Sequence, residues 1–222
     1  MTFTSQKLKP FILLVAIIIG ISINSDKAHA GKQETAIVAG GCFWCVESDF
    51  ESVPGVISAV SGYTGGKTAN PTYKQVTRGG TGHYEAVKIT YDSSKLSYAM
   101  LVSLFLRSVD PTDAGGQFCD RGDSYRTAIF AANGKQKSAA RDEIVKAGKA
   151  LGHKVVTPVL SAAKFYPAED YHQNYYKGDN LVVTRFGVKR QSSAYKAYRN
   201  ACGRDAQVLR IWGNAAPFAN KH

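Results

Sequence analysis

The chain has few cysteines and contains no repeated or low-complexity segment. Its 222 residues include four cysteines and two tryptophans. Neither an internal repeat nor a long linker divides them, which argues against a repeat protein or a string of domains. The cysteines and histidines lack the spacing of a zinc site, so no metal is expected. No nucleic-acid-binding motif accompanies the basic residues.

The longest apolar stretch of the sequence is shorter than a membrane span requires. It covers residues 11–23, whereas a span needs about 20 apolar residues. Two lysines precede the run, and an Ala-x-Ala motif that ends at Ala30 follows it. This order predicts a signal peptide over residues 1–30 that is cleaved, and hence an exported protein, periplasmic or secreted. An uncleaved membrane anchor is the alternative.

The chain is basic, with a formal net charge of +11. The signal segment holds three lysines and one aspartate, so its removal leaves +9. The cationic residues are scattered rather than grouped, which indicates a solvated surface and no nucleic-acid partner. The remaining length of about 190 residues suits one domain. We predict that this domain covers residues 31–222, with residues 178–222 as a C-terminal segment.

Strand-like and helix-like patterns alternate along the chain. This alternation predicts helices layered on a sheet, in an α/β or α+β arrangement. Less periodicity is present from Glu169 onward, where we expect helix turns and loops around the core. The predicted strands are residues 35–39, 56–63, 85–91, 127–131 and 154–160, and the predicted helices are residues 44–53, 97–108 and 136–151.

The most informative motif is Cys42-Phe43-Trp44-Cys45, which follows Gly40-Gly41. An apolar run precedes it and a helical pattern follows it, so Cys42 is expected at a turn from strand to helix. Free backbone N–H groups and the helix dipole favour an anion at that position. They predict a thiol pKa below the ordinary value of about 8.5. The alternative is two buried cysteines with no chemical role.

Further motifs occur in a fixed order along the chain. With the Gly-Cys-Phe-Trp signature they closely resemble the A-type peptide methionine sulfoxide reductases, and the resemblance extends from about Ile37 to about Tyr176. It implies an α+β fold, a two-layer α/β sandwich with a mixed sheet and a ferredoxin-like core, followed by a loop-rich C-terminal segment. The motifs are residues 61–66, a glycine-rich turn, and residues 70–73, 81–87, 110–122, 125–126 and 168–173.

The resemblance implies thiol-dependent reduction of methionine S-sulfoxide. Cys42 matches the family's nucleophile, which attacks sulfur and becomes a sulfenic acid when methionine leaves. Phe43 and Trp44 match the aromatic wall that receives the substrate methyl group. Glu85 matches the acid that protonates the departing oxygen, a role that requires a burial-raised pKa.

Three further residues are assigned to the site by the same resemblance. Tyr73 and Tyr125 match tyrosines whose hydroxyls bind the sulfoxide oxygen. Asp120 matches an acidic residue that orients the site and its water. His172 lies in a matching segment, and we expect it to pack or form hydrogen bonds rather than to take part in the reaction.

The sulfenic acid must be resolved by a second thiol, and the sequence offers three. Cys202, in the C-terminal segment, is slightly preferred. Cys45 is the second candidate, at a position where many relatives have glycine, and Cys119 is the third. Cysteines of an exported chain also form structural disulfides, which stays an alternative for Cys119 and Cys202. Whichever disulfide forms, an external thioredoxin-like dithiol must reopen it, and no bound cofactor is expected.

Two other functions fit part of the sequence. A thioredoxin-like disulfide oxidoreductase explains Cys42 and Cys45 but leaves Glu85, Tyr73 and Tyr125 without roles. A basic secreted binding module stapled by two disulfides is the second. The substrate, free or protein-bound, is left open by the sequence, and a monomer is expected.

Overall fold

The computed structural model describes residue 1 and residues 32–219. The predicted signal peptide and its cleavage site lie outside the described residues. Within residues 32–219, no helix is long and apolar enough to cross a membrane.

The central element is a mixed six-stranded sheet with the strand order β7-β6-β1-β3-β2-β8. All its neighbouring strands are antiparallel except β6 and β7, which are parallel. The six strands are β1 (Gln33–Gly40), β2 (Val56–Thr64), β3 (Tyr84–Asp92), β6 (Thr127–Ala131), β7 (Val159–Ser161) and β8 (Tyr166–Pro167), and two short hairpins are formed by β4 (Gly116–Gln117) with β5 (Asp120–Arg121) and by β9 (Leu181–Thr184) with β10 (Gly187–Arg190).

Six α-helices accompany the strands in the described part of the chain. They are α1 (Phe43–Glu51), α2 (Tyr73–Arg78), α3 (Tyr98–Leu106), α4 (Gly134–Leu151), α5 (Gln191–Ala201) and α6 (Arg204–Trp212). The connectivity β1-α1-β2-β3-α3-β6, with the spatial order β6-β1-β3-β2, is the ferredoxin-like core expected from the sequence.

Side-chain caps fix the starts of two predicted helices. The Ser97 hydroxyl accepts the Met100 N–H at 3.1 Å before α3, and the Asn133 side chain accepts the Gln136 N–H at 2.9 Å before α4. Each satisfies one of the free N–H groups of the first turn. The strand predicted over residues 154–160 is shorter, because β7 begins only after Pro158, which has no N–H to donate.

The C-terminal segment is more regular than the loops and helix turns expected from its sequence. It forms the β9–β10 hairpin and helices α5 and α6. The hairpin strands are too short for a periodic pattern to stand out. Buried residues recur at helical spacing in both helices, at Ala194, Tyr195, Val208 and Trp212, and two buried arginines add ionic contacts.

A buried ion cluster fastens α5 and α6 to α1. The Asp49 carboxylate on α1 lies 2.9 Å from the Arg199 guanidinium and 3.9 Å from that of Arg204. All three side chains are almost fully buried. Arg204 also donates hydrogen bonds to the carbonyls of Gly40, at 3.1 Å, and Ser108, at 3.0 Å. The cluster therefore joins the C-terminal helices to the end of β1, where the cysteine motif begins.

Asp49→Ala should lower the free energy of unfolding by about 3–5 kcal/mol, because two buried guanidinium groups lose a shared counter-ion. Urea denaturation followed by tryptophan fluorescence measures the change. Asp179→Ala removes the exposed partner of Arg190 and should cost less than about 1 kcal/mol. Equal losses in the two variants would contradict a special role for the buried cluster.

Candidate active site

Cys42 stands at the turn from β1 into α1, as the sequence predicts, and is the residue that precedes the first helical position. Gly41 makes this turn possible with a φ of +78°, a conformation that side-chain-bearing residues rarely adopt. A Cβ on Gly41 would also lie 2.6 Å from the Cβ of the buried Gln117. Both constraints require glycine immediately before the cysteine.

Cys42 and Cys45, which we call the inner pair, are free and buried, with exposures of 6% and 2%. The Cys42 thiol donates a hydrogen bond to the Cys45 sulfur, and this bond lowers the pKa of Cys45 to about 7. The positive charges of Arg204 and Arg199 act in the same direction, while burial opposes them. In the resting pair, Cys45 is therefore the sulfur that ionises first.

The predicted lowering of the Cys42 pKa is wrong for this site. Burial raises the pKa of the Cys42 thiol well above its ordinary value, and the hydrogen bond to Cys45 and the carboxylates of Glu85 and Asp120 raise it further. The Cys42 side chain accepts no capping hydrogen bond from α1. The helix terminus thus gives Cys42 less stabilisation as an anion than its position in the sequence suggests.

The backbone N–H of Phe43, the first residue of α1, bonds to Glu85 and not to the Cys42 sulfur. The Phe43 N–H donates to a Glu85 carboxylate oxygen at 3.1 Å. Glu85 lies on β3 and is only 2% exposed. Burial raises the pKa of its carboxyl group well above the ordinary range, and the negative charges of Asp120 and Cys45 add to this, while the Phe43 hydrogen bond opposes it. Glu85 is therefore a carboxylic acid held beside the thiols.

Phe43 and Trp44 form an aromatic wall with fixed orientation. Trp44 stacks on Tyr175 with 3.8 Å between the ring centroids and 5° between the planes. Its indole N–H donates to Nδ1 of His172 at 3.2 Å. Burial lowers the pKa of His172 to about 4, which keeps the ring neutral. The expected hydrogen-bonding role of His172 is thus confirmed, whereas no sequence signal singled out Tyr175.

Tyr73 and Tyr125 bring their hydroxyl groups together. The Tyr125 hydroxyl donates to that of Tyr73. Burial, followed by the charge of Glu85, raises the pKa of both groups, so both stay protonated as donors. The Tyr73 N–H donates to a Glu169 carboxylate oxygen at 2.8 Å, which fixes the start of α2.

Asp120 and Tyr198 also line the site. The Tyr198 hydroxyl donates to the Asp120 carboxylate. Burial raises the pKa of Asp120, while the Tyr198 hydrogen bond and the charges of Arg204 and Arg185 oppose this. Sequence reasoning missed Tyr198, although its spacing of four from Cys202 on a helix would place both on one face.

These side chains surround a cavity of about 100 Å³. That is room for about three waters, the scale of a single small functional group. Seven residues singled out from the sequence meet here, and Cys45 lies beside them, bonded to Cys42. The lining consists of Cys42, Phe43, Trp44, Tyr73, Glu85, Asp120, Tyr125 and Tyr198.

Cys119 and Cys202, which we call the outer pair, form a disulfide between the β4–β5 hairpin and the end of α5. Cys119 is exposed and Cys202 is half-buried. The Cys202 sulfur accepts the Cys119 N–H at 3.2 Å and lies 3.9 Å from an Asp120 oxygen. Cys119, Asp120 and Cys202 are close enough to share a metal ion, but the disulfide occupies both sulfurs.

Comparisons with known proteins agree on one family. The model of the family described as "Peptide methionine sulfoxide reductase" matches residues 34–204. "Peptide methionine sulfoxide reductase MsrA 2" of Rhizobium meliloti is 51% identical, over 88% of this chain and 91% of that protein. The "MsrA" protein of Limosilactobacillus reuteri is 52% identical, over 82% and 98%. The solved structure of methionine sulfoxide reductase A of Corynebacterium diphtheriae is similar, with a TM-score of 0.63 and 30% identity, over 71% of this chain and 84% of that one.

The thiolate absorbance of the inner pair should rise at about pH 7 in protein that retains the outer disulfide, because Cys45 ionises first. In Cys45→Ser the rise should move to higher pH, since Cys42 keeps its burial and its neighbouring carboxylates. Ultraviolet titration measures both. A rise at the same pH in both proteins would assign the low pKa to Cys42 and contradict the assignment.

Proposed function

The chain belongs to the A-type peptide methionine sulfoxide reductases, and on that premise we propose that it reduces methionine S-sulfoxide, free or in proteins, through a sulfenic acid on Cys42. Its family membership establishes the reductase activity. The observation that carries the mechanism is the position of Glu85, a buried acid bonded to the Phe43 N–H next to the Cys42 thiol.

The inner pair supplies the nucleophile. The Cys42 thiol gives its proton to the Cys45 thiolate, and the Cys42 sulfur attacks the sulfoxide sulfur. Glu85 transfers its proton to the sulfoxide oxygen. The S–O bond of the substrate breaks and the hydroxyl passes to Cys42, so that the products are methionine and a Cys42 sulfenic acid. The substrate sulfur gains two electrons and the Cys42 sulfur loses two.

Substrate orientation follows from the cavity walls. The methyl group packs against Phe43 and Trp44, which the stack on Tyr175 holds in place. The sulfoxide oxygen accepts hydrogen bonds from the hydroxyls of Tyr73 and Tyr125, and the Tyr125 hydroxyl turns from Tyr73 to the substrate when the substrate binds. Buried neutral donors of this kind stabilise charge that develops on oxygen without giving up a proton themselves.

Cys45 is the proposed resolving thiol, ahead of Cys202. It is hydrogen-bonded to Cys42, whereas Cys202 is held by Cys119. The proton that Cys45 received passes to the Glu85 carboxylate, and the Cys45 thiolate attacks the Cys42 sulfur. Glu85 then protonates the departing hydroxyl, which leaves as water, and a Cys42–Cys45 disulfide remains. A thioredoxin-like dithiol from outside returns the two electrons, so the reaction needs no bound cofactor.

Glu85→Gln should slow methionine formation in a single turnover by about 10²–10⁴-fold, because the amide cannot supply the proton. A methionine sulfoxide peptide with dithiothreitol as reductant provides the assay, and peptide affinity should change little. Cys42→Ser should be inactive. Glu143→Gln, a glutamate on α4 paired with Lys146, is the matched control and should react at the wild-type rate. An unchanged rate in Glu85→Gln would remove the acid from the mechanism.

We further propose that the enzyme repairs exported proteins after cleavage of residues 1–30. The apolar run and the Ala-x-Ala motif support this placement. Amino-terminal sequencing of the protein purified from its host should begin near Gly31. A chain that still begins at Met1 in the cytoplasmic fraction would contradict export.

A further inference from the structure

The β9–β10 hairpin presents an apolar face to solvent. Val183 on β9 lies opposite Val188 on β10, and Leu181 lies opposite Arg190, so these four side chains share one side of the hairpin. We call them the hairpin face. Val183 is 88% exposed, Leu181 71% and Val188 65%. Four of the nine large exposed apolar side chains that the structure describes belong to this hairpin. Such clustering is typical of an interaction surface.

The rest of the hairpin adjoins the active site. Val182, on the side opposite the hairpin face, packs against the buried cluster that contains the inner pair. Burial raises the pKa of Asp120, and the positive charge of Arg185, at the turn of the hairpin, is one of those that oppose the rise. Arg185 therefore lies near Asp120, which lines the cavity.

The cavity is too small to enclose a residue of a polypeptide substrate completely. Its volume of about 100 Å³ admits only a small functional group. The substrate backbone and the residues on either side of the sulfoxide must then lie outside the cavity. An extended chain advances about 3.3 Å per residue. Residues only a few positions from the sulfoxide therefore reach the four-residue strands β9 and β10.

The hairpin is also positively charged. Residues 181–190 contain Arg185, Lys189 and Arg190 and no acidic residue. The exposed Asp179 lies 3.7 Å from Arg190 and offsets only one of these charges. Acidic residues in a bound chain are favoured by this surplus, and basic residues are disfavoured. The surface thus suits an extended segment that carries apolar and acidic side chains.

We propose that the hairpin face, together with Arg185 and Lys189, is the docking surface for unfolded polypeptide substrates, and that it selects sulfoxides flanked by apolar and acidic residues. This inference rests on the proposed function, because the docked chain is the substrate of Cys42. An unfolded segment is required, since the sulfoxide must enter the cavity while its neighbours lie on the hairpin. Free methionine sulfoxide has no neighbouring residues and reaches the cavity without this surface.

The test compares oxidised casein, an unfolded acidic protein, with free methionine S-sulfoxide, using dithiothreitol as reductant. In Val183→Ser/Val188→Ser, the ratio of kcat/KM for casein to kcat/KM for the free amino acid should fall by about tenfold. The fall should lie in the KM for casein, because apolar contacts to the bound chain are lost. Val145→Ser, which changes an exposed valine on α4, is the matched control and should leave the ratio unchanged.

Charge selection is tested with two sulfoxide peptides that differ only in having glutamates or lysines beside the sulfoxide. The wild type should prefer the acidic peptide, and the preference should weaken in Lys189→Glu and at high salt. Arg141→Glu makes the same change of charge at an exposed position on α4 and should keep the preference. Equal rates for the two peptides, or a preference for the basic one, would overturn the selection.

The remaining outcomes separate this proposal from the others. An unchanged ratio in Val183→Ser/Val188→Ser would overturn the docking surface and leave the proposed function intact, whereas a wild type inactive on both substrates would contradict the proposed function itself. A loss seen only with a thioredoxin as reductant would assign the hairpin face to the reductant. A dimer in sedimentation velocity that the double variant abolishes would assign it to a second copy of the chain. Either result would overturn the proposal.

Discussion

The hydrogen bond from the Phe43 N–H to the Glu85 carboxylate is the constraint on which the site depends. The first turn of a helix has only four free N–H groups. The Phe43 N–H donates to Glu85 and not to the Cys42 sulfur. The bond fastens β3 to the first turn of α1, which brings Glu85 beside Cys42. Burial nevertheless outweighs the bond, so Glu85 holds its proton. Cys42 is then left protonated, and in the proposed mechanism the Cys45 thiolate accepts its proton.

The buried ions that assemble the C-terminal helices also adjust the thiols. Arg199 and Arg204 bind Asp49 and thereby fix α5 and α6 against α1. The same two positive charges lower the pKa of Cys45. A buried ion pair is weak evidence for stability alone, since desolvation offsets much of its attraction. Here the cluster has a second effect, because its arginines favour ionisation of the sulfur that the proposed mechanism uses as a base.

The sequence identifies the residues of the site better than it predicts their electrostatics. Phe43, Trp44 and Glu85 were singled out by motifs that resemble a known family, and all three line the cavity. The raised pKa of Cys42 was not predicted, because it depends on burial and on carboxylates from other elements. A disulfide involving Cys119 and Cys202 was expected only as an alternative, because 83 positions separate the two residues and no local pattern encodes such a contact. The prediction of loops was wrong for α5 and α6, although Ala194, Tyr195, Val208 and Trp212 are buried there at helical spacing.

Cys45 is the proposed resolving thiol, and its reaction with the sulfenic acid on Cys42 can be observed directly. Fully reduced wild-type enzyme, mixed with one equivalent of sulfoxide peptide and quenched with acid at successive times, can be mapped for its disulfides by mass spectrometry. The first disulfide to appear should join Cys42 to Cys45. A first disulfide between Cys42 and Cys202 would contradict the proposed role of Cys45.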